Sequence, residues 1–193
     1  DYSFGANDIL GVNIRFGDRK MNGNTLSSYD EWMIPGEIHN IYQNKDQSER
    51  GGQFYSISTN YQHKFQQKGH DLKAEFNYDN RNFSDNSVNE LTDENGLIVD
   101  GKINTETGPS SRIRGKLDYT LPVGEKGKLE AGFQTRFSES EDHTELSELN
   151  PETGEYLTLD EYSNLTTYTR NIHSLYTTYG QEIGHFGFQG GLR

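Results

Sequence analysis

Three times in this chain a stretch of alternating apolar and polar residues runs into a very short turn and resumes as a second alternating stretch. The turns are Lys68-Gly69-His70, Gly124-Glu125-Lys126-Gly127 and Gly184-His185-Phe186-Gly187, and long acidic segments separate one such unit from the next. Alternation with period 2 marks a strand with two unlike faces. Turns this short join only antiparallel neighbours, because a parallel pair needs a crossover of a dozen or more residues. The pattern predicts an all-β, antiparallel up-and-down meander, tight at one end and extended at the other.

The clearest strand covers Arg112 to Leu121, with Ile113, Gly115, Leu117, Tyr119 and Leu121 on one face and Arg112, Arg114, Lys116, Asp118 and Thr120 on the other. Its partner beyond the turn puts Leu129, Ala131, Phe133 and Phe137 on one side and Glu130, Gln134 and Arg136 on the other. The same alternation places Tyr55, Ile57, Thr59, Tyr61 and Phe65 before the first turn, and Leu72, Ala74, Phe76 and Tyr78 after it. A third hairpin runs from about Tyr168 to Ile183 and resumes at Phe186, although Leu175, Tyr176 and Tyr179 blur which of its faces is apolar. An opening strand with Leu10, Val12, Ile14 and Phe16 in phase makes about seven.

Only 30% of the 193 residues are apolar, too few for an ordinary compact core, yet aromatics make up 12%. Such side chains suit a pleated surface or a membrane interface. No run of about 18 apolar residues occurs, which excludes a spanning helix but leaves a spanning barrel open, because barrel strands hide apolar residues at every second position. Short turns on one side and long polar excursions on the other then read as a section of a larger transmembrane β-barrel, with short periplasmic turns and long extracellular loops. Seven strands fall short of the roughly eight that close the smallest such barrels. Residues 1–193 are accordingly expected to be a partial barrel domain, without a plug domain and without a C-terminal closing strand, since the sequence stops within what reads as a strand.

The excursions Arg19 to Gly52, Asn80 to Ser111 and Ser138 to Thr167 are expected as long connections, which are commonly functional when ordered. Turn chemistry at Asp93-Glu94-Asn95-Gly96 and at Asn150-Pro151-Glu152-Thr153-Gly154 predicts a small hairpin inside each of the last two. The first holds the only tryptophan, in Tyr29-Asp30-Glu31-Trp32-Met33-Ile34-Pro35, with Tyr42 beyond it. Aromatic side chains are the usual anchors of binding surfaces, so Tyr29, Trp32 and Tyr42 are the candidate ligand-binding residues, able to stack on a sugar or a hydrophobic ligand. The plainer reading is that Trp32, Met33 and Ile34 pack locally to order the loop.

Other chemistry finds little support. The net charge of −12 argues against a nucleic-acid partner, which would require a basic stripe. Cysteine is absent, and the six histidines fall at no metal-ligating spacing. Nine acids between Glu139 and Glu161, with no Lys or Arg among them, lack the ligand spacing of a calcium loop and read as a solvated segment. No nucleophile elbow, phosphate-binding loop or dinucleotide fingerprint occurs. The expectation is a protein with no catalytic residues, no metal and no cofactor.

At Leu117-Asp118-Tyr119-Thr120-Leu121-Pro122, Gly127-Lys128-Leu129-Glu130-Ala131-Gly132-Phe133 and Gly184-His185-Phe186-Gly187-Phe188-Gln189-Gly190-Gly191-Leu192-Arg193, the chain resembles the outer-membrane β-barrel domain of TonB-dependent receptors. The resemblance implies a barrel of about 22 strands in the cell outer membrane of a Gram-negative bacterium, plugged by a separate domain. It also implies capture and uptake of an extracellular ligand with energy from an inner-membrane coupling protein, which would engage a segment outside this chain. The expected partners are outer-membrane lipid, the ligand, and the remainder of the barrel with its plug. The rival expectation is a soluble secreted all-β glycan-binding module or adhesin. The two differ at Ile113, Leu117, Tyr119, Leu129 and Phe133, which meet acyl chains in a barrel and a second sheet in a sandwich.

Overall fold

The structure, a computed structural model, describes residues 1–32, 34, 36 and 39–193. Among the described residues nine strands form one antiparallel sheet: β1 (Tyr2–Ser3), β2 (Asp8–Glu31), β3 (Asn40–Lys64), β4 (Asp71–Thr92), β5 (Ile98–Val123), β6 (Gly127–Asn150), β7 (Glu155–Thr158), β8 (Asn164–Ile183) and β9 (Phe186–Leu192). Each strand pairs with its sequence neighbours, except that β7 pairs with β6 alone and lets β8 return to the main path beside β6. A 3-10 turn, Asp160–Tyr162, lies between β7 and β8. The seven expected strands are all present, and two short ones join them.

The register confirms the expected faces and resolves the ambiguous one. Ile14 stands opposite Ile57, Ile57 opposite Tyr78, Tyr78 opposite Ile113 and Ile113 opposite Phe137. Three levels nearer the tight turns, Leu72, Tyr119, Ala131, Thr177 and Leu192 form a similar row. Directly opposed residues share a face of the sheet, so these rows make one apolar band. Leu175 faces Phe133 and Tyr179 faces Leu129, both inside the band, whereas Tyr176 faces Gly132 on the polar side. No second layer covers the band: Leu117 is 43% exposed, Leu175 72% and Phe16 79%, and no apolar side chain is buried among the described residues.

From Leu121 to Ile113 the band measures about 26 Å along the strand, or roughly 20 Å of height at the usual barrel tilt. Aromatic side chains gather at its two ends. Toward the tight turns, Phe65 stacks on His70 at 3.9 Å and meets Tyr119 edge-on at 6.3 Å. At the other end Tyr55 and Tyr78 pair at 5.8 Å. Such girdles mark the two interfaces of a spanning barrel.

The three segments expected as long loops are instead mostly strand. Beyond Phe16, β2 continues to Glu31 and pairs with β3 throughout, and β4, β5 and β6 rise in the same way. The links left at that end are residues 32–39, 93–97, 151–154 and 159–163. Hydrophobic alternation stops at the membrane boundary because both faces beyond it meet water, but the backbone still needs partners for its N–H and C=O groups. Polar cross-strand pairs replace the apolar ones: Arg50 with Asp85 at 2.7 Å, Lys102 with Glu148 at 3.0 Å and Lys20 with Glu49 at 2.6 Å. The two small hairpins expected at Asp93–Gly96 and Asn150–Gly154 form as the tips of these long arms.

The ladder is interrupted along one line, just above the apolar band. Gly52–Gln53 against Asn82–Phe83 and Gly108–Pro109 against Glu141–Asp142 skip their pairing and resume in the same register. The backbones close in there. A Cβ at Gly52, whose φ is +147°, would collide with the Asn82 carbonyl, and one at Gly108 would collide with that of Glu141. Hydrocarbon offers no substitute for a lost ladder bond, each of which costs several kcal/mol there, so a break is tolerable only where water reaches it.

Candidate ligand-binding site

At the far end of the β2–β3 arm, Tyr29 stands directly opposite Tyr42. Trp32 follows just past the end of β2 and lies against the His39 ring, with centroids 5.4 Å apart and planes 29° apart. Asp30 holds His39 in place through Nδ1, at 2.7 and 3.0 Å from its two carboxylate oxygens. Met33 and Pro35 of the same segment, where the local-packing expectation falls in part, lie outside the described residues.

All three candidate residues line one open trough of about 1230 Å³. The opposite wall comes from the next hairpin: Asn89 and Leu91 of β4, the Asp93-Glu94-Asn95 turn, and Val99 and Asp100 of β5. Sequence reasoning had found the aromatic wall but not this one, because Asn and Asp on a polar strand give no period-2 contrast. Two devices fix the second wall. Asn89 donates to Asn44 Oδ1 at 3.0 Å and to Asp46, while Asn44 donates to Asp46 Oδ2 at 2.9 Å. The Asp93 carboxylate accepts the backbone N–H groups of Asn95 and Leu97, each at 2.9 Å. Leu97 and Asn95 thereby hold the Asp93 carboxyl below its ordinary value.

Among the described residues no Lys or Arg lines the trough, whereas Asp30, Glu31, Asp93, Glu94 and Asp100 do. Asp30 and Asp93 are already committed to His39 and to the turn, which leaves Glu31, Glu94 and Asp100 among flat aromatic faces and amides. Such a surface suits an uncharged polar or cationic ligand and repels an anionic one. Tyr29 and Tyr42 also lie on the face that continues downward, through alternate residues, into the polar side of the membrane band, so the trough sits at the mouth of that side.

The other titratable groups do not converge. His63 contacts Asp8 at 2.6 Å, His70 contacts Tyr119 at 2.8 Å and His173 contacts Thr135 at 2.8 Å, at separate places on the sheet. The acids of 139–161 are spread over β6, β7 and the links, where Glu148 pairs with Lys102 and Glu145 accepts from Thr158. Among the described residues no three His, Asp or Glu side chains gather in a metal-binding arrangement.

One uncovered apolar band between two aromatic girdles, an opposite face of charged and polar residues, and long arms on one side only define a wall of a transmembrane β-barrel. Residues 63–193 match the outer membrane protein beta-barrel family, about two thirds of the chain, and the chain belongs to that family. Its place is the outer membrane. No curated protein matches the chain.

Proposed function

We propose that this chain is the barrel wall of a TonB-dependent receptor, which captures a ligand at the cell surface and passes it inward. The observation that carries the reading is the joining of Tyr29, Trp32 and Tyr42 in one trough at the outer end of the arms, opening onto the polar face of the barrel. A ligand bound there stands at the entrance to the interior. The reading assigns binding and passage to this chain, with no bond-making chemistry. The remainder of the barrel, a plug and an energy-coupling protein of the inner membrane complete the machine. The lining favours a neutral or cationic polar ligand, of which oligosaccharides, amino sugars and basic oligopeptides are the first classes to test.

The test compares cells with and without the full-length gene for accumulation of a labelled panel drawn from those classes. Receptor-dependent accumulation that disappears when a protonophore collapses the inner-membrane gradient supports the reading. Accumulation that is indifferent to the protonophore marks a passive pore and overturns it.

A further inference from the structure

On the face that leads inward from the trough, the charge changes sign. One row across the membrane band reads Arg15, Ser56, Asp79, Arg112, Ser138, Arg170, each residue directly opposite the next. The row nearer the tight turns contributes Arg114 opposite Arg136, and the row above contributes Arg81. Among the described residues of these three rows Asp79 is the only acid, and none of the six arginines forms an ion pair. Arg15 donates to the Ser56 hydroxyl at 3.5 Å, and the enclosed Nε atoms of Arg114 and Arg136 have no acceptor. Two concavities open between the arginines, one of about 380 Å³ beside Arg15, Arg81 and Arg112 and one of about 360 Å³ beside Arg112, Arg136 and Arg170. Acids are the minority in both, with Asp79 in the first and Glu139 and Asp142 in the second.

The trough is the opposite case, with acids and, among the described residues, no Lys or Arg in its lining. Tyr29 in its wall and Arg15 in the arginine row lie on one face of β2, roughly 46 Å apart along the strand. Screening limits a charge to a reach of about 8 Å at physiological ionic strength, so the two fields do not cancel and a solute moving inward meets them in turn. Each enriches solutes of the opposite sign and depletes those of its own, by about tenfold or more where low-dielectric walls focus the field. Rings of arginine or lysine set selectivity against cations in pores in the same way. Gathering guanidiniums on one wall costs free energy through their repulsion and their unmatched N–H groups, and ionisable groups kept at membrane depth face an interior and mark function.

We propose that the acidic trough and the arginine wall are two successive charge filters of opposite sign, and that the solute they pass is polar and uncharged, a neutral oligosaccharide being the simplest example. An anion is turned away at the mouth, and a cation that the trough admits is turned away at the wall. The inference rests on the receptor reading above and narrows its ligand from neutral or cationic to neutral. Its test feeds cells carrying the full-length protein three labelled tetrasaccharides: chitin, chitosan, which is the same backbone with its amines free and cationic, and oligogalacturonate, which is anionic. The expected result is gene-dependent accumulation of the chitin tetramer about tenfold or more above that of the other two. Arg112→Gln, Arg114→Gln and Arg136→Gln combined should raise the ratio of chitosan to chitin several-fold, while Arg→Lys at the same positions, which keeps the charge, should leave the ratio as in wild type. Heat-resistant electrophoretic mobility checks that each barrel forms, and if the triple variant fails to assemble, Arg112→Gln and Arg136→Gln singly should each give a smaller rise. A wild type that accumulates chitosan or a basic oligopeptide as readily as the neutral probe overturns the inference, as does an unchanged ratio in assembled Gln variants. If neither these probes nor the wider panel accumulates in a protonophore-sensitive way, the receptor reading itself falls.

Discussion

Tyr29 and Tyr42 are direct partners in the β2–β3 ladder, and their shared face is the one that leads down to Arg15 and Ser56 inside the membrane band. Alternation therefore ties a surface trough to an interior wall through a single unbroken hairpin. Replacing Tyr29, Trp32 and Tyr42 together with Ala should weaken ligand binding about tenfold or more, since each large aromatic anchor commonly contributes 1 kcal/mol or more. Heat-resistant mobility of the full-length barrel should not change, because the ladder below Phe16 is untouched. Undiminished affinity in a titration would leave these side chains with a packing role only.

The lipid-facing assignment makes a second, sharper prediction. Leu117 lies in the middle of the apolar band opposite Ala74 and Phe133, whereas Ser174 lies on the polar face opposite Gln134. Leu117→Arg should cost about 2–4 kcal/mol of barrel stability, the usual penalty for Arg at the bilayer midplane, and Ser174→Arg much less. Folded yield in outer-membrane fractions separates them. Asp118 is a poorer control for the polar face, because its carboxylate already pairs with Lys116 at 2.5 Å. Equal yields from Leu117→Arg and Ser174→Arg would contradict the face assignment.

The membrane band was legible in the sequence because lipid on one face and a polar interior on the other force contrast at every second residue, as in Arg112 to Leu121. Above the band that contrast vanishes. Asn86, Asn89, Thr105 and Glu106 give no periodic signal, so these segments read as loop, although the ladder resumes beyond the crease and carries on through them. The site divides the same way. Tyr29, Trp32 and Tyr42 stood out by size and rarity, whereas Asn89 and Asp100 join them only because β3, β4 and β5 stand side by side at that height. The arginines were visible one strand at a time, and it took the register to align Arg15, Arg112 and Arg170 in one row.

The close approach at Gly108 gives a third prediction. Gly108→Ala would push a methyl group into the Glu141 carbonyl, and the backbones there must separate to accept it. Gly190→Ala meets open space. A loss of about 1–3 kcal/mol is expected for the first substitution and little for the second. Urea denaturation of the full-length protein in detergent measures both, and equal midpoints would show that the crease above the band carries no packing constraint.

The Asp93 turn gives a prediction in pH. The Leu97 amide, with those of Asn95 and Gly96, holds the folded carboxyl below its ordinary value of 3.8. A depressed folded pKa means that the charged form stabilises the turn, so the contribution is complete above about pH 5, where the unfolded group is almost fully ionised. It is lost as the pH falls from there through the folded pKa. Amide hydrogen exchange of a peptide covering residues 93–99, corrected at each pH for the intrinsic rate, should show protection that is steady from pH 7 to about pH 5 and declines below. Asp93→Asn keeps an oxygen able to accept the same N–H groups but cannot ionise, so its protection should be lower at neutral pH and flat across the range. Glu94→Gln removes a neighbouring charge without touching those bonds and should keep the wild-type profile. Matching profiles for the wild type and Asp93→Asn would mean that the carboxylate does not hold the second wall of the trough, and a Glu94→Gln profile as flat as that of Asp93→Asn would trace the effect to general charge instead.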